Sequence, residues 1–87
     1  MRTAARRDAN EPAIIDALRA VGASVWQLDQ PVDLLILFRG ENYVMEVKDG
    51  SKKHLTPLQE TFFGIWGDKA IRVNSVDDAL RAIGAMK

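Results

Sequence analysis

Two short apolar runs separated by a turn constrain this chain most, because together they predict a β-hairpin. The first run, the turn and the second run occupy residues 33–38, 39–42 and 43–48. Side chains alternate between faces along a strand, so Glu46 and Lys48 share one face and Val47 lies on the other. In an antiparallel pair the start of the first strand lies near the end of the second. The hairpin therefore predicts that Asp33 lies beside Glu46 and Lys48.

These three charged side chains at one strand end suit a particular chemistry. The carboxylates of Asp33 and Glu46 can bind a hard divalent cation through oxygen, and the Lys48 ammonium can align a water molecule beside them. A plainer interpretation also fits the spacing: a solvated Asp at a strand start and a surface ion pair between Glu46 and Lys48. Such a pair is worth about 0–1 kcal/mol. The spacing alone leaves both interpretations open.

Helix and strand signals divide the rest of the chain. We expect a first helix between Asn10 and Gly22, with Asn10 as its N-cap. Its apolar residues Ile14, Leu18 and Val21 recur at i, i+4 and i+7 and predict the buried face. The other predicted elements are strands over residues 24–28, 32–38, 43–48 and 69–73, a helix between Thr56 and Gly67, and a last helix that begins at Ser75.

The second helix has a distinctive start. Thr56 and Gln59 have the spacing of a capping box, and a proline occupies the first helical position between them. Leu58, Phe62 and Ile65 recur at helical spacing and predict the buried stripe of this helix.

The order α-β-β-β-α-β-α predicts one small α/β domain over residues 1–87. A crossover through the second helix would make the fourth strand parallel to its neighbour, giving a mixed sheet flanked by helices. The chain has no cysteine, which excludes disulfides and thiolate zinc sites and fits a reducing cytoplasm. No apolar run approaches the roughly 20 residues of a membrane helix, and the basic N-terminus lacks the apolar region of a signal peptide.

Three segments in this element order resemble the VRR-NUC branch of the PD-(D/E)xK nuclease superfamily. They are Asp-Leu-Leu-Ile-Leu over residues 33–37, Met-Glu-Val-Lys over residues 45–48 and Leu-Thr-Pro-Leu-Gln over residues 55–59. The resemblance, which runs from about Glu11 to the last helix, implies a restriction-endonuclease-like α-β-β-β-α-β core. It also implies a Mg²⁺- or Mn²⁺-dependent DNA endonuclease. Small stand-alone members resemble homodimeric Holliday-junction resolvases, so a homodimer acting on branched DNA is expected.

The resemblance assigns roles to particular residues. The implied metal ligands are Glu11, Asp33, Glu46 and the backbone carbonyl of Val47. The implied catalytic residues are Asp33, Glu46, Lys48 and Gln59. Two of these have competing explanations: Glu11 would also compensate the dipole of the first helix, and Gln59 would also serve as the second half of the capping box. The sequence does not separate these alternatives.

The charge of the chain gives only a weak signal for DNA. Twelve basic and 12 acidic side chains balance to a net charge of zero, so no domain-wide basic footprint is present. Local basic clusters nevertheless provide five candidate DNA contacts: Arg6, Arg7, Lys52, Lys53 and His54. For Lys52, Lys53 and His54 the alternative is an ordinary solvated loop. The candidate dimer contacts are Phe62, Phe63 and Trp66, although some of these must instead fill the core. A non-catalytic DNA- or protein-binding module of the same fold and an enzyme acting on RNA or a nucleotide are the competing functions.

Overall fold

The computed structural model describes residues 8–50 and 54–87 and has the predicted order of elements. The helices are α1 (Glu11–Ala20), α2 (Pro57–Trp66) and α3 (Val76–Ala82), and the strands are β1 (Ser24–Gln27), β2 (Leu34–Phe38), β3 (Glu41–Val47) and β4 (Ala70–Val73). A 3₁₀ turn over Gly67–Lys69 joins α2 to β4. No helix in these two ranges is long and apolar enough to cross a membrane.

The four strands form one mixed sheet in the order β1-β2-β3-β4. The pairs β1–β2 and β2–β3 are antiparallel, and β3–β4 is parallel. The parallel pair confirms the crossover that the element order predicts. The sheet therefore has two distinct ends: β2 begins where β1, β3 and β4 finish, and the β2–β3 turn lies at the opposite end.

The β2–β3 turn is tighter than predicted. Phe38 pairs with Glu41, which leaves only Arg39 and Gly40 in the loop rather than four residues. Both have positive φ, at 51° and 80°, the signature of a type I′ turn that matches the twist of a hairpin. Glycine at the second position meets this requirement without steric cost.

Helices cover both faces of the sheet. The larger core lies between the sheet and α1 with α3, and includes Ile14, Leu18, Ile36, Met45 and Val73, all fully buried. The smaller core lies under α2, where Phe62 and Phe63 pack against Val32, Val44 and Ala70. This arrangement is an α/β fold with a mixed four-stranded sheet and three helices among the described residues.

The predicted buried stripe of α2 is wrong at two positions. Leu58 is 54% and Ile65 is 78% exposed. The inward face instead carries Gln59, Phe62 and Phe63, which follow i, i+3, i+4 spacing. Gln59 is buried because its side chain makes the hydrogen bonds described below, so a polar residue takes the first position of the stripe. Outside this face, the Trp66 ring stacks on Phe62 with centroids 5.4 Å apart.

The first helix also differs from its prediction at its end. Val21 is 41% exposed, whereas Ile15 is buried. Val21 is the C-cap residue of α1, so the helix has already ended there and the residue leaves the buried face.

Candidate functional site

The predicted acidic and basic side chains lie where β2 begins and β3 finishes, which we call the carboxylate end of the sheet. It is defined by Asp33, Glu46 and Lys48. The opposite end, with the β2–β3 turn, is called the hairpin end. Antiparallel pairing of β2 with β3 accounts for this placement, since Leu34 faces Met45.

Asp33 is fixed by backbone hydrogen bonds to the segments on either side of it. Its N–H donates to the Met45 carbonyl at 3.1 Å, and its carbonyl accepts from Leu28 N–H at 2.7 Å. Leu34 already faces Met45 in the register, so two consecutive residues oppose one, the arrangement of a β-bulge. The Asp33 Oδ2 accepts from Val47 N–H at 2.8 Å. The carboxylate is therefore held against the backbone that follows Glu46.

Glu46 and Lys48 form an ion pair on the predicted shared face. The Glu46 Oε2 and Lys48 Nζ are 3.1 Å apart, and their side chains are only 7% and 15% exposed. The predicted ion pair is therefore present, but it is largely buried rather than a solvated surface pair. Removing two charges from water costs several kcal/mol per ion, and the attraction between them often fails to offset that cost. Stability alone is thus a weak explanation for this pair.

The donor atoms at the carboxylate end fit a hard divalent cation. Mg²⁺ typically takes one or two carboxylates, completing its shell with water and substrate oxygens. Asp33 and Glu46 supply two carboxylates, and the hydrogen bond from Val47 N–H to Asp33 brings that backbone close to them. Within residues 8–50 and 54–87, no three His, Asp or Glu side chains are grouped closely enough to hold a metal ion. Cation binding by Asp33 and Glu46 therefore stays a prediction.

Glu11 is buried at the start of α1 rather than solvated. It is 1% exposed, and its Oε2 accepts from Gln27 Nε2 at 3.2 Å. Since Gln27 ends β1, this contact places Glu11 at the same end of the sheet as Asp33. The structure does not bring Glu11 into a three-carboxylate group, and its role as a metal ligand stays a prediction.

Asn10 does not cap α1 with its side chain, contrary to prediction. Its Nδ2 instead donates to the Lys48 carbonyl at 3.3 Å and the Asn74 carbonyl at 2.8 Å. Those carbonyls follow β3 and β4 directly, so one side chain ties α1 to the ends of two strands. These long-range hydrogen bonds replace the local cap and fix the start of α1 at the carboxylate end.

Gln59 makes the predicted capping box and one further contact. Its Oε1 accepts from Thr56 N–H at 3.0 Å, and its own N–H donates to Thr56 Oγ1 at 3.2 Å. The Nε2 donates to the Pro31 carbonyl at 3.0 Å. The capping prediction is confirmed, and the same amide ties α2 to the chain two residues before Asp33. A direct catalytic role for Gln59 stays a prediction.

The predicted DNA contacts fall largely outside the described residues. Arg6, Arg7, Lys52 and Lys53 all lie there, and His54 is exposed at the edge of the described range.

Two residues at this end were not singled out from the sequence. Gln27 contacts Glu11, and Arg72 faces Glu46 in the β3–β4 register. Alternation with the buried Ala70 is the signal that could have placed Arg72 on this face.

No family model, curated protein or solved structure matches this chain. Its fold and site define it as a small α/β protein with a largely buried Glu46–Lys48 ion pair at one end of a mixed sheet.

Proposed function

We propose that this chain is an intracellular, Mg²⁺- or Mn²⁺-dependent DNA endonuclease with a restriction-endonuclease-like core, as its resemblance to the VRR-NUC nucleases implies. The observation that carries the proposal is the buried Glu46–Lys48 pair beside the fixed carboxylate of Asp33. Two carboxylates can hold a hard divalent cation, and an ammonium beside them can offset the charge that develops on a phosphate.

Each residue of the carboxylate end would have a separate role in hydrolysis. Asp33 and Glu46 would hold the cation, with the Val47 carbonyl as a further oxygen ligand and Glu11 as the third acid of the resemblance. When bound, the cation supplies Lewis acidity to the scissile phosphate and lowers the pKa of a water molecule. Lys48 has three N–H donors, so it can keep one on Glu46 while others orient the attacking water and offset charge on the phosphate.

Gln59 supports this site from α2. Its bond to the Pro31 carbonyl restrains the segment that leads into Asp33. We propose that Gln59 also lines the site, as its position in the resemblance implies. The basic residues proposed to contact the DNA backbone are Arg6, Arg7, Lys52, Lys53 and His54.

We further propose a homodimer that acts on branched DNA such as a four-way junction. A two-fold dimer carries two sites related by symmetry, which suits paired cuts in opposed strands. Phe62 and Phe63 already pack in the smaller core, so the interface proposed earlier for them moves to the outer face of α2. Leu58 and Ile65, seven residues apart on one helix face, and the 38% exposed Trp66 supply that surface.

The test is a cleavage assay on four DNA forms. The chain is incubated with Mg²⁺ or Mn²⁺ and linear duplex, single-stranded, flap or four-way junction DNA, with EDTA as the control. We expect metal-dependent nicking, with the four-way junction cut fastest. Light scattering at micromolar concentration measures the mass in parallel.

Each outcome bears on a separate part of the proposal. DNA binding without cleavage in either metal would favour the non-catalytic module, and cleavage of RNA alone would favour the competing enzyme class. A strict monomer that cuts linear duplex as fast as the junction would contradict the dimer and the branched substrate while leaving the hydrolysis intact.

A further inference from the structure

Arg72 lies on the same face of the sheet as Glu46. In the parallel β3–β4 pair, Glu46 faces Arg72 just as Val44 faces Ala70. Val44 and Ala70 both belong to the core under α2. Alternation along the strands therefore places Glu46 and Arg72 on this same face, one step closer to the carboxylate end.

The guanidinium of Arg72 reaches toward the loop that leaves β3. Its Nη2 is 3.5 Å from the Gly50 carbonyl, at the long limit for a hydrogen bond. Arg72 is half-buried: its Nε is buried, whereas the contact of its Nη2 with Gly50 is exposed. Gly50 directly precedes the segment that contains Lys52 and Lys53, which lie outside the described residues.

The charges at this end explain why a second cation would be useful. Glu46 already has Lys48 as an ion-pair partner, with the Lys48 Nζ 3.1 Å from the Glu46 Oε2. The three acids and two basic residues at this end sum to a charge of −1: Glu11, Asp33, Glu46, Lys48 and Arg72. A bound divalent cation would change this to a net charge of +1, which suits a polyanionic backbone rather than a neutral ligand.

We propose that Arg72 binds non-bridging oxygens of a DNA backbone phosphate next to the carboxylate end, an inference that rests on the proposed function. Its planar fork of N–H donors matches the geometry of phosphate and can make two parallel bonds. Lys48 acts as a point charge at the site of hydrolysis, whereas Arg72 fixes where the backbone lies relative to it.

The experiment measures DNA binding as a function of salt. A fluorescein-labelled four-way junction, the DNA that the proposed function favours, is titrated with the wild-type chain and its variants in Ca²⁺, and anisotropy is read from 50 to 300 mM NaCl. A gel checks that the junction stays intact. Arg72→Met removes the charge and the donors, Arg72→Gln retains an amide donor, and Arg72→Lys retains the charge. Arg81→Met is the matched control, because Arg81 is exposed on α3 and its Nε also donates to a backbone carbonyl, that of Lys87.

Loss of one phosphate contact should reduce the slope of log K against log salt by about 0.9. We expect that reduction in both Arg72→Met and Arg72→Gln, with affinity on the order of tenfold lower. Arg72→Lys should keep the wild-type slope, and Arg81→Met should match the wild type throughout. A merely structural role would not restore the slope with charge alone, and circular dichroism melting reports the folding of each variant.

Two contrary results are distinguishable. Wild-type slope and affinity in both neutral variants would overturn the role of Arg72 and leave the proposed nuclease untouched. A wild-type chain that neither binds nor cuts DNA would overturn the proposed function, and the role of Arg72 with it.

Discussion

The two ends of β3 each carry a Glu–Lys pair, and the two pairs lie in opposite environments. At the hairpin end the side chains of Glu41 and Lys69 are 57% and 39% exposed, whereas those of Glu46 and Lys48 are 7% and 15% exposed. Water screens the first pair and keeps both its ions solvated at little cost. The second pair must offset a large desolvation penalty. The same residue types thus form an ordinary surface contact at one end and an energetically costly group at the other.

The surface pair behaves as its environment predicts. The hydrogen bond from Lys69 holds the pKa of Glu41 below its ordinary value, and the same bond raises the pKa of Lys69. Lys69 also lies over the Tyr43 ring, 4.8 Å from its centroid. These contacts need no function to explain them. The comparison therefore makes the buried pair the candidate for a functional role and provides the exposed pair as its internal control.

The largest expected effect is on cleavage. Glu46→Gln keeps the shape of the side chain but removes its charge, and neutral amides bind Mg²⁺ poorly. We expect the rate of DNA cleavage to fall on the order of 100-fold or more, while Glu41→Gln cleaves like the wild type. Single-turnover assays in Mg²⁺ compare the two variants. Wild-type cleavage by Glu46→Gln would remove the buried pair from the reaction.

The next effect is on stability. Lys48→Met leaves the Glu46 carboxylate buried without its cation, and we expect a loss of roughly 3 kcal/mol, the lower end for breaking a buried pair. Melting should then fall by more than about 10 °C. Lys69→Met should scarcely change the melting temperature. Thermal denaturation followed by circular dichroism measures both, and equal losses in the two variants would contradict the contrast between the ends.

Mg²⁺ should sharpen the same contrast. Because the ammonium no longer competes for Glu46, adding Mg²⁺ should raise the melting temperature of Lys48→Met more than that of the wild type. Lys69→Met should respond as the wild type does. A melting temperature of Lys48→Met that is indifferent to Mg²⁺ would argue against cation binding at Glu46.

Gln59 provides an intermediate effect. Gln59→Ala removes its bonds to Thr56 and Pro31 and should lower stability by about 1–2 kcal/mol. Thr56→Ala removes only the other half of the box and should cost about 1 kcal/mol. If Gln59 lines the site, Gln59→Ala cleaves more slowly than Thr56→Ala at a temperature where both are folded. Equal rates would identify Gln59 as a cap alone.

The smallest effect is the pH dependence of the exposed pair. The lowered pKa of Glu41 means that any stability from this contact is present at neutral pH and lost as the pH falls through that lowered pKa, below 4.5. Lys69, whose pKa is raised, would lose its contribution only above 10.5. Any difference in melting temperature between Glu41→Gln and the wild type should therefore be small and constant between pH 5 and 9, because the pair is exposed, and should disappear as the pH falls through the lowered pKa of Glu41; calorimetry measures it. A clear separation in that range would show that the hairpin end is not a neutral control.

Local signals allowed much of this fold to be predicted. The alternation within two short strands placed Asp33, Glu46 and Lys48 at one sheet end, because hairpin geometry is set by neighbours in sequence. The capping box of α2 was also readable, since both partners lie three residues apart. These predictions needed no knowledge of distant contacts.

Features that depend on distant contacts were not readable in the same way. The inward face of α2 includes Gln59, whose hydrogen bond to the Pro31 carbonyl spans 28 positions. Asn10 does not cap α1 and instead donates a hydrogen bond to the carbonyl of Asn74, 64 positions away. Arg72 became visible only through the register of a parallel pair. In each case the position of a polar side chain depends on a residue that is distant in the sequence, and the periodicity of apolar residues does not reveal such a partner.

The most direct test of the central claim is cation binding at the carboxylate end. Isothermal titration with Mn²⁺ compares the wild type, Glu46→Gln and Glu41→Gln, with circular dichroism confirming that each is folded. If Glu46 is a cation ligand, the wild type and Glu41→Gln bind Mn²⁺ alike, and Glu46→Gln binds on the order of tenfold more weakly or worse. Undiminished binding by folded Glu46→Gln, or no binding by the wild type, would show that Glu46 does not hold a cation.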